Sequence, residues 1–311
     1  MSVNAIRAVS GLGPMIVVAV SLALAASGEA QAPGKPVPPQ WAVIDSVMGR
    51  EGKAQPGGVR KYSFLRGDLR VVVEGVTVKP ALTLGSWVAF EGAGSNAMAM
   101  GDLVLTEREI SPVLTKLQQV GVQQTALHNH VLGESPRIMY LHIQARGEAA
   151  KIADAIHSAL ALTGTPPAKP SVAQPNDVFP LDTARIKAAL RYGGNINAGV
   201  YQVSVPRNEA VRADGMEVPP SMGVATAINF QPTGAGKAAI TGDLVLTANE
   251  VNPVIQALRS GGIEITAVHS HMLTEEPRLF FLHYWADADA IALARVLRSA
   301  LDRMNVKKAT S

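Results

Sequence analysis

Two short stretches of this 311-residue chain place histidines where they could share a metal ion or a proton. The first, TALHNHVLGESPR (125–137), is followed by His142 in MYLHIQARG (139–147). The second, TAVHSHMLTEEPR (266–278), is followed by His283 in FFLHYWADA (280–288). Six of the chain's seven histidines fall in these two triplets. On a strand, side chains alternate, so His128 and His130 would share a face. A hairpin pairing His128 with His142 adds a third imidazole to that face, and a register one residue off turns His142 away. The residue pattern leaves the register open. The candidate metal ligands are therefore His128, His130 and His142, with His269, His271 and His283. The ion they suit is a divalent transition metal, zinc first, with copper or nickel as alternatives. The competing reading is hydrogen-bonded histidine on a polar sheet face, which would suffice for one isolated H-x-H.

Neighbouring residues extend both readings. Glu134 and Glu275 follow the second histidine of each triplet by four positions. They are candidate general bases for a metal-activated water, or solvated turn carboxylates. Arg137 and Arg278 could clamp an anionic substrate group, or pair with those glutamates, and the same choice applies to Arg66 and Arg207. Asp102 and Asp243, in GDLVLT, read first as turn residues after glycine, with metal ligation or imidazole orientation as alternatives. Thr106-x-x-Glu109 and Thr247-x-x-Glu250 have capping-box spacing, which gives both glutamates a structural part. TGAGK (233–237) lacks the spacing of a phosphate loop and reads as a hairpin turn.

The elements that must hold these residues also occur twice. Shifted by 141 positions, GDLVLT (101–106) falls on GDLVLT (242–247), and no gap is needed through Leu160. Each copy begins with a short helix, from Trp41 and from Leu181. Strand-like runs follow: VRKYSFLR, LRVVVEG, SWVAFEG and MAMGDLVLT in the first copy, and VYQVSVPR, VATAINFQP and AAITGDLVL in the second. Ile110, Val113, Leu114 and Leu117 have helical spacing, as do Val251, Val254, Ile255 and Leu258. A histidine strand, a return strand and a last helix complete the unit. The expectation is an α+β fold of two tandem homologous domains, each an antiparallel sheet with helices on one face and a β-α-β-β-α, split β-α-β-like core. The boundaries expected are 41–162 and 181–305, with a Pro-rich linker at 163–180 and a tail at 306–311. The two copies could form two sites or one shared site at a pseudo-twofold contact.

An apolar run after Arg7, ending in AQA, predicts a signal peptide over 1–32 with a linker at 33–40. The protein is then expected to be periplasmic or secreted, with no membrane anchor after cleavage. The net charge of +3, without basic runs, argues against nucleic-acid binding. The chain has no cysteine, so a metal would have to be held by His, Asp, Glu or backbone oxygen.

GDLVLTEREISPVL, TALHNHVLGESPR and MYLHIQARG, with their second-copy partners, resemble the LppY/LpqO family of bacterial envelope proteins over roughly Trp41 to Leu301. The second copy departs mildly, reading His-Ser-His. The resemblance implies export and a repeated domain. The family name refers to lipoproteins, whereas this chain has no cysteine to lipidate. Three functions compete: an exported protein binding a divalent transition metal, a zinc-dependent hydrolase of an envelope substrate, and a metal-free structural or interaction module. The small-molecule or envelope ligand is unspecified by the sequence.

Overall fold

The computed structural model describes residues 38–167 and 179–309. The expected signal peptide, most of the Pro-rich linker and the last two residues lie outside them.

The first repeat contains α1 (Pro39–Val47), β1 (Lys53–Gln55), β2 (Val59–Leu65), β3 (Val72–Val73), β4 (Val76–Thr77), α2 (Pro80–Thr83), β5 (Gly85–Glu91), β6 (Ala97–Thr106), α3 (Glu107–Gln119), β7 (Gln123–His128), β8 (Ile138–Gly147) and α4 (Ala149–Leu160). The second contains α5 (Thr183–Leu190), β9 (Gly194–Asn197), β10 (Val200–Pro206), β11 (Arg212–Ala213), β12 (Met216–Glu217), β13 (Ala225–Gly234), β14 (Lys237–Leu246), α6 (Ala248–Ser260), β15 (Glu264–His269), β16 (Phe280–Asp289) and α7 (Ala290–Leu301). A 3-10 turn at Pro220–Met222 stands where the first repeat has α2.

Each repeat folds one six-stranded antiparallel sheet, in the orders β1-β2-β5-β6-β8-β7 and β9-β10-β13-β14-β16-β15. The return strand lies between β6 and β7, and between β14 and β15, so the expected split β-α-β plan is present. Helices α3 and α6 start on the capping boxes of Thr106/Glu109 and Thr247/Glu250. Gly121 and Gly262, just past their ends, take the left-handed conformation (φ 75° and 79°).

One face of each sheet packs on its own helices. Tyr62, Phe64, Phe90, Leu103 and Ile143 meet α1, α3 and α4 in one core, and Ile228, Phe230, Leu244 and Leu282 meet α5, α6 and α7 in another. The opposite faces pack on each other. Met98 and Met100 join Val245, Met272 and Phe281 on one flank, and Val104 and Tyr140 join Val200 and Trp285 on the other. The result is a helix–sheet–sheet–helix sandwich. Strand β6 is buried on both faces, which explains its near-continuous apolar sequence, with Asp102 its one charge.

The run LRVVVEG is not the strand expected from its composition. Residues 67–84 form an arm whose two-residue strands β3 and β4 turn at Glu74 and Gly75, both at positive φ. That geometry is a tight two-residue hairpin turn. Asp214 and Gly215 make the same turn in the second arm, 208–224. Each arm reaches the other repeat. Glu74 accepts the Trp285 indole N–H at 3.0 Å, and Asp214 accepts Gln144 Nε2 at 3.0 Å. The side chain of Gln231 bridges Lys79 N and Thr77 O, and Gln202 Nε2 donates to Ala81 O. TGAGK is the β13–β14 turn.

Candidate metal centre

The two histidine strands end on the same central seam. In each, a β-bulge decides the outcome. Before Thr125 the pairing is Gln124 with Ile143, and after it Ala126 with His142 and His128 with Tyr140. The extra residue slips the register by one, which returns His128 to the face of His142. A bulge at Thr266 does the same for His269 and His283. His130 and His271 lie beyond the strand ends, in the following loops. They reach the seam because Tyr140 and Phe281 stack on them, both with ring centroids 3.4 Å apart.

All six imidazoles meet in one cluster. His128 and His269 stack at 3.7 Å across the repeats. His130 lies 4.0 Å from His283, and His142 lies 3.7 Å from His271. The ligand-capable atoms of His128, His142 and His269 fall within 4.8 Å of one another, as do those of His128, His130 and His283. The centre is nearly dry: His142 and His283 are 3% and 2% exposed.

Three of the ring tautomers, those of His283, His271 and His142, are set by backbone carbonyls outside the cluster. His283 Nδ1 donates to Gly242 O at 2.6 Å, and His271 Nδ1 to Gly223 O at 3.2 Å. A backbone hydrogen bond to Gly101 is the equivalent at His142. Thr83 Oγ1 lies 2.9 Å from His130 Nδ1. A proton fixed on Nδ1 leaves a lone pair on Nε2, as outer-shell partners do for metal-binding histidines. The Nε2 atoms of His130, His142, His269 and His271 are buried without a hydrogen-bond partner.

Burial dominates the electrostatics. It holds His142 and His271 at about 3, with Asp102 opposing and His283 adding at both. His128, His130 and His269 are also driven down, by burial first and the surrounding rings second. These five rings are therefore neutral, the state that ligates metal.

Asp102 and Asp243 are not turn residues. They sit mid-strand in β6 and β14, directly opposite His142 and His283. Asp102 Oδ2 is 3.5 Å from His130 Nε2, and Asp243 Oδ2 is 3.0 Å from His271 Nε2. Burial pushes Asp243 up to about 7, offset by His283 and reinforced by Asp102. The G-D pair suggests a turn, but Gly101 and Gly242 serve close packing. A Cβ on Gly242 would meet Ala227 O at 2.0 Å.

Glu134 and Glu275 are outside the imidazole groupings. Each carboxylate turns back to the amide four residues on, Ile138 N at 3.3 Å and Leu279 N at 3.0 Å. Arg278 pairs with Glu275 at 3.2 Å and donates to Ser270 Oγ at 3.0 Å, and both Arg278 and Arg137 are exposed. Arg66 and Arg207 are buried ion-pair partners: Arg66 holds Asp68 and Glu109, and Arg207 holds Glu209 and Glu250. His157 lies exposed on α4.

These features define a tandem α+β protein whose two repeats share one buried histidine–aspartate centre. Its two repeats match a family model at residues 42–162 and 184–303, and the chain belongs to that family, described as "Domain of Unknown Function (DUF1259)". No curated protein matches it. Among solved structures it is similar to EtuB from Clostridium kluyveri, at 10% identity and a TM-score of 0.19 over 81% of this chain and 90% of that one. It is also similar to PduB, a trimeric bacterial microcompartment shell protein, at 11% identity and a TM-score of 0.21 over 82% and 90%. Likenesses this weak bear on neither fold nor function.

Proposed function

We propose that this protein binds a divalent transition metal at the seam between its repeats, with zinc the first candidate and copper or nickel the alternatives. The observation that carries this reading is the set of four buried Nε2 atoms without partners, on His130, His142, His269 and His271. Leaving a buried polar group unpaired costs about 1–3 kcal/mol each, and one bound cation would satisfy several at once. The burial of the cluster favours holding a metal over hydrolysing a large envelope substrate. The engagement of Glu134 and Glu275 with their own loops points the same way. Among the described residues no helix is long and apolar enough to cross a membrane. The leader-like residues 1–32 and the LppY/LpqO resemblance support action outside the cytoplasm.

The test is elemental analysis of the full chain purified without chelator, beside the His128→Ala/His269→Ala double variant. The expected result is stoichiometric zinc, copper or nickel in the native protein and its loss in the variant, with circular dichroism unchanged. A native protein that carries none of these metals and takes up none on titration would refute the reading.

A further inference from the structure

We infer that the centre holds two metal ions, and that Asp102 and Asp243 are ligands to them. One ion lies among Asp102, His128, His130 and His283; the other lies among Asp243, His269, His271 and His142. This rests on the metal reading above and specifies its stoichiometry and ligand set.

The first argument is donor capacity. Six imidazoles and two carboxylates converge on the seam, whereas zinc held by such donors takes about four. The donors divide by repeat into two groups of four, and the three imidazoles of the first bring their ligand atoms within 4.8 Å of one another. In the first, His130 to His283, His128 to His130 and His128 to His283 are 4.0, 5.1 and 5.2 Å between ring centroids. In the second, His271 to His142, His269 to His271 and His269 to His142 are 3.7, 5.0 and 5.6 Å. Exchanging the repeats maps one group onto the other. Each group takes three side chains from one repeat and the return-strand histidine of the other.

The second argument is spacing. Donors about 2.0–2.1 Å from a tetrahedral zinc lie about 3.3 Å from each other. His128 Nε2 and His283 Nε2 are 3.3 Å apart, and His130 Nε2 and Asp102 Oδ2 are 3.5 Å apart. His271 Nε2 and Asp243 Oδ2 are 3.0 Å apart. These are lengths expected for edges of coordination polyhedra. The His128–His283 distance is also that of a hydrogen bond from His128 Nε2–H to His283 Nε2, whereas the two histidine–aspartate contacts make no hydrogen bond. With Nδ1–H of His271 donated to Gly223 O, its Nε2 lone pair faces a carboxylate oxygen. For the ionised carboxylate that contact is repulsive, and a cation against both atoms relieves it.

The third argument disposes of a single ion on the pseudo-twofold axis, held by His128, His142, His269 and His283. Such an ion would leave His130 Nε2, His271 Nε2, Asp102 Oδ1 and Asp243 Oδ1 buried and unpartnered. Two ions off the axis engage every one of these side chains.

The experiment is titration of the metal-stripped full chain with Zn²⁺, read by calorimetry and by elemental analysis after desalting, on the native protein and on Asp102→Asn and Asp243→Asn. Two equivalents in the native chain and one in each folded variant are expected. A single equivalent in the native chain would leave the metal reading standing and overturn the two-ion inference. No bound Zn²⁺ would overturn the inference, and titration with Cu²⁺ and Ni²⁺ would then decide the metal reading separately. Two equivalents retained by both variants would remove the aspartates from the ligand set. Electron paramagnetic resonance of the native chain loaded with Cu²⁺ supplies a readout independent of the variants' folding. A dipolar-coupled spectrum with a half-field transition supports a pair of ions, and an isolated-ion spectrum at saturation overturns it.

Discussion

Thr125 and Thr266 are bound to each other's histidine loops. Thr125 Oγ1 donates to His271 O, and Thr266 Oγ1 donates to His130 O, each at 2.6 Å. These are the bulge residues that set the histidine register, so the same side chains that turn the rings inward also lock the two repeats together.

Replacing either threonine with valine should keep the shape and delete the bond. The expected loss is about 1 kcal/mol for each hydrogen bond, with weaker Zn²⁺ binding because the His130 and His271 loops lose their tether. Urea denaturation with and without Zn²⁺ measures both effects. Unchanged midpoints in both conditions would show that the bonds contribute nothing.

The metal-free protein should be destabilised by acid. His142 and His271 are held at about 3 when folded, against about 6.5 for a free imidazole. The unfolded chain therefore binds more protons between those values, and stability falls as pH drops through that window. Each such ring should account for about 2 kcal/mol between pH 7 and pH 5. Asp243 opposes the trend: raised to about 7, it stabilises the fold at low pH and loses that contribution as pH rises toward and through 7. Five lowered histidines outweigh one carboxyl. Guanidinium midpoints at pH 7 and pH 5, with chelator present, check the sign, and a midpoint higher at pH 5 would contradict it.

Gly223→Ala should be damaging. Gly223 sits at φ 91°, where a Cβ would come 2.8 Å from the Trp87 ring, and its carbonyl orients His271. Left-handed strain alone is about 1 kcal/mol or more, so a lowered melting temperature and weaker Zn²⁺ binding are expected together. Normal binding in this variant would disconnect Gly223 from the centre.

Arg66→Met separates fold from site. The guanidinium is 1% exposed and holds Glu109, Asp68 and Val104 O. Removing one partner of a buried pair costs about 3–5 kcal/mol. Metal content per folded molecule should not change, which elemental analysis of the native-state fraction would establish.

The duplicated histidines and their element order were readable because the two copies align without a gap from Gly101 through Leu160. Their convergence was not. It depends on the bulges at Thr125 and Thr266, and no residue type marks a bulge in advance. Asp102 and Asp243 were obscured by the glycine before each, a turn signal in most contexts and here a device for close strand packing. The arms 67–84 and 208–224 were hidden by their β-branched residues, whose packing partners are distant in sequence and lie in both repeats. Local pattern reports on neighbours in the chain, and the centre is assembled from residues more than a hundred positions apart.

The reciprocal arms have a consequence for how the molecule comes into being. Neither sheet's inner face is covered until the other repeat packs on it, so the first half of the chain, while alone, has its helix-side core and an open inner face. The protein amounts to a dimer whose subunits are joined by a covalent tether. The local concentration of one half around the other is then set by the length of the segment between them, and not by how much protein the cell makes. Assembly of the centre becomes a first-order event that proceeds equally well at high and low abundance.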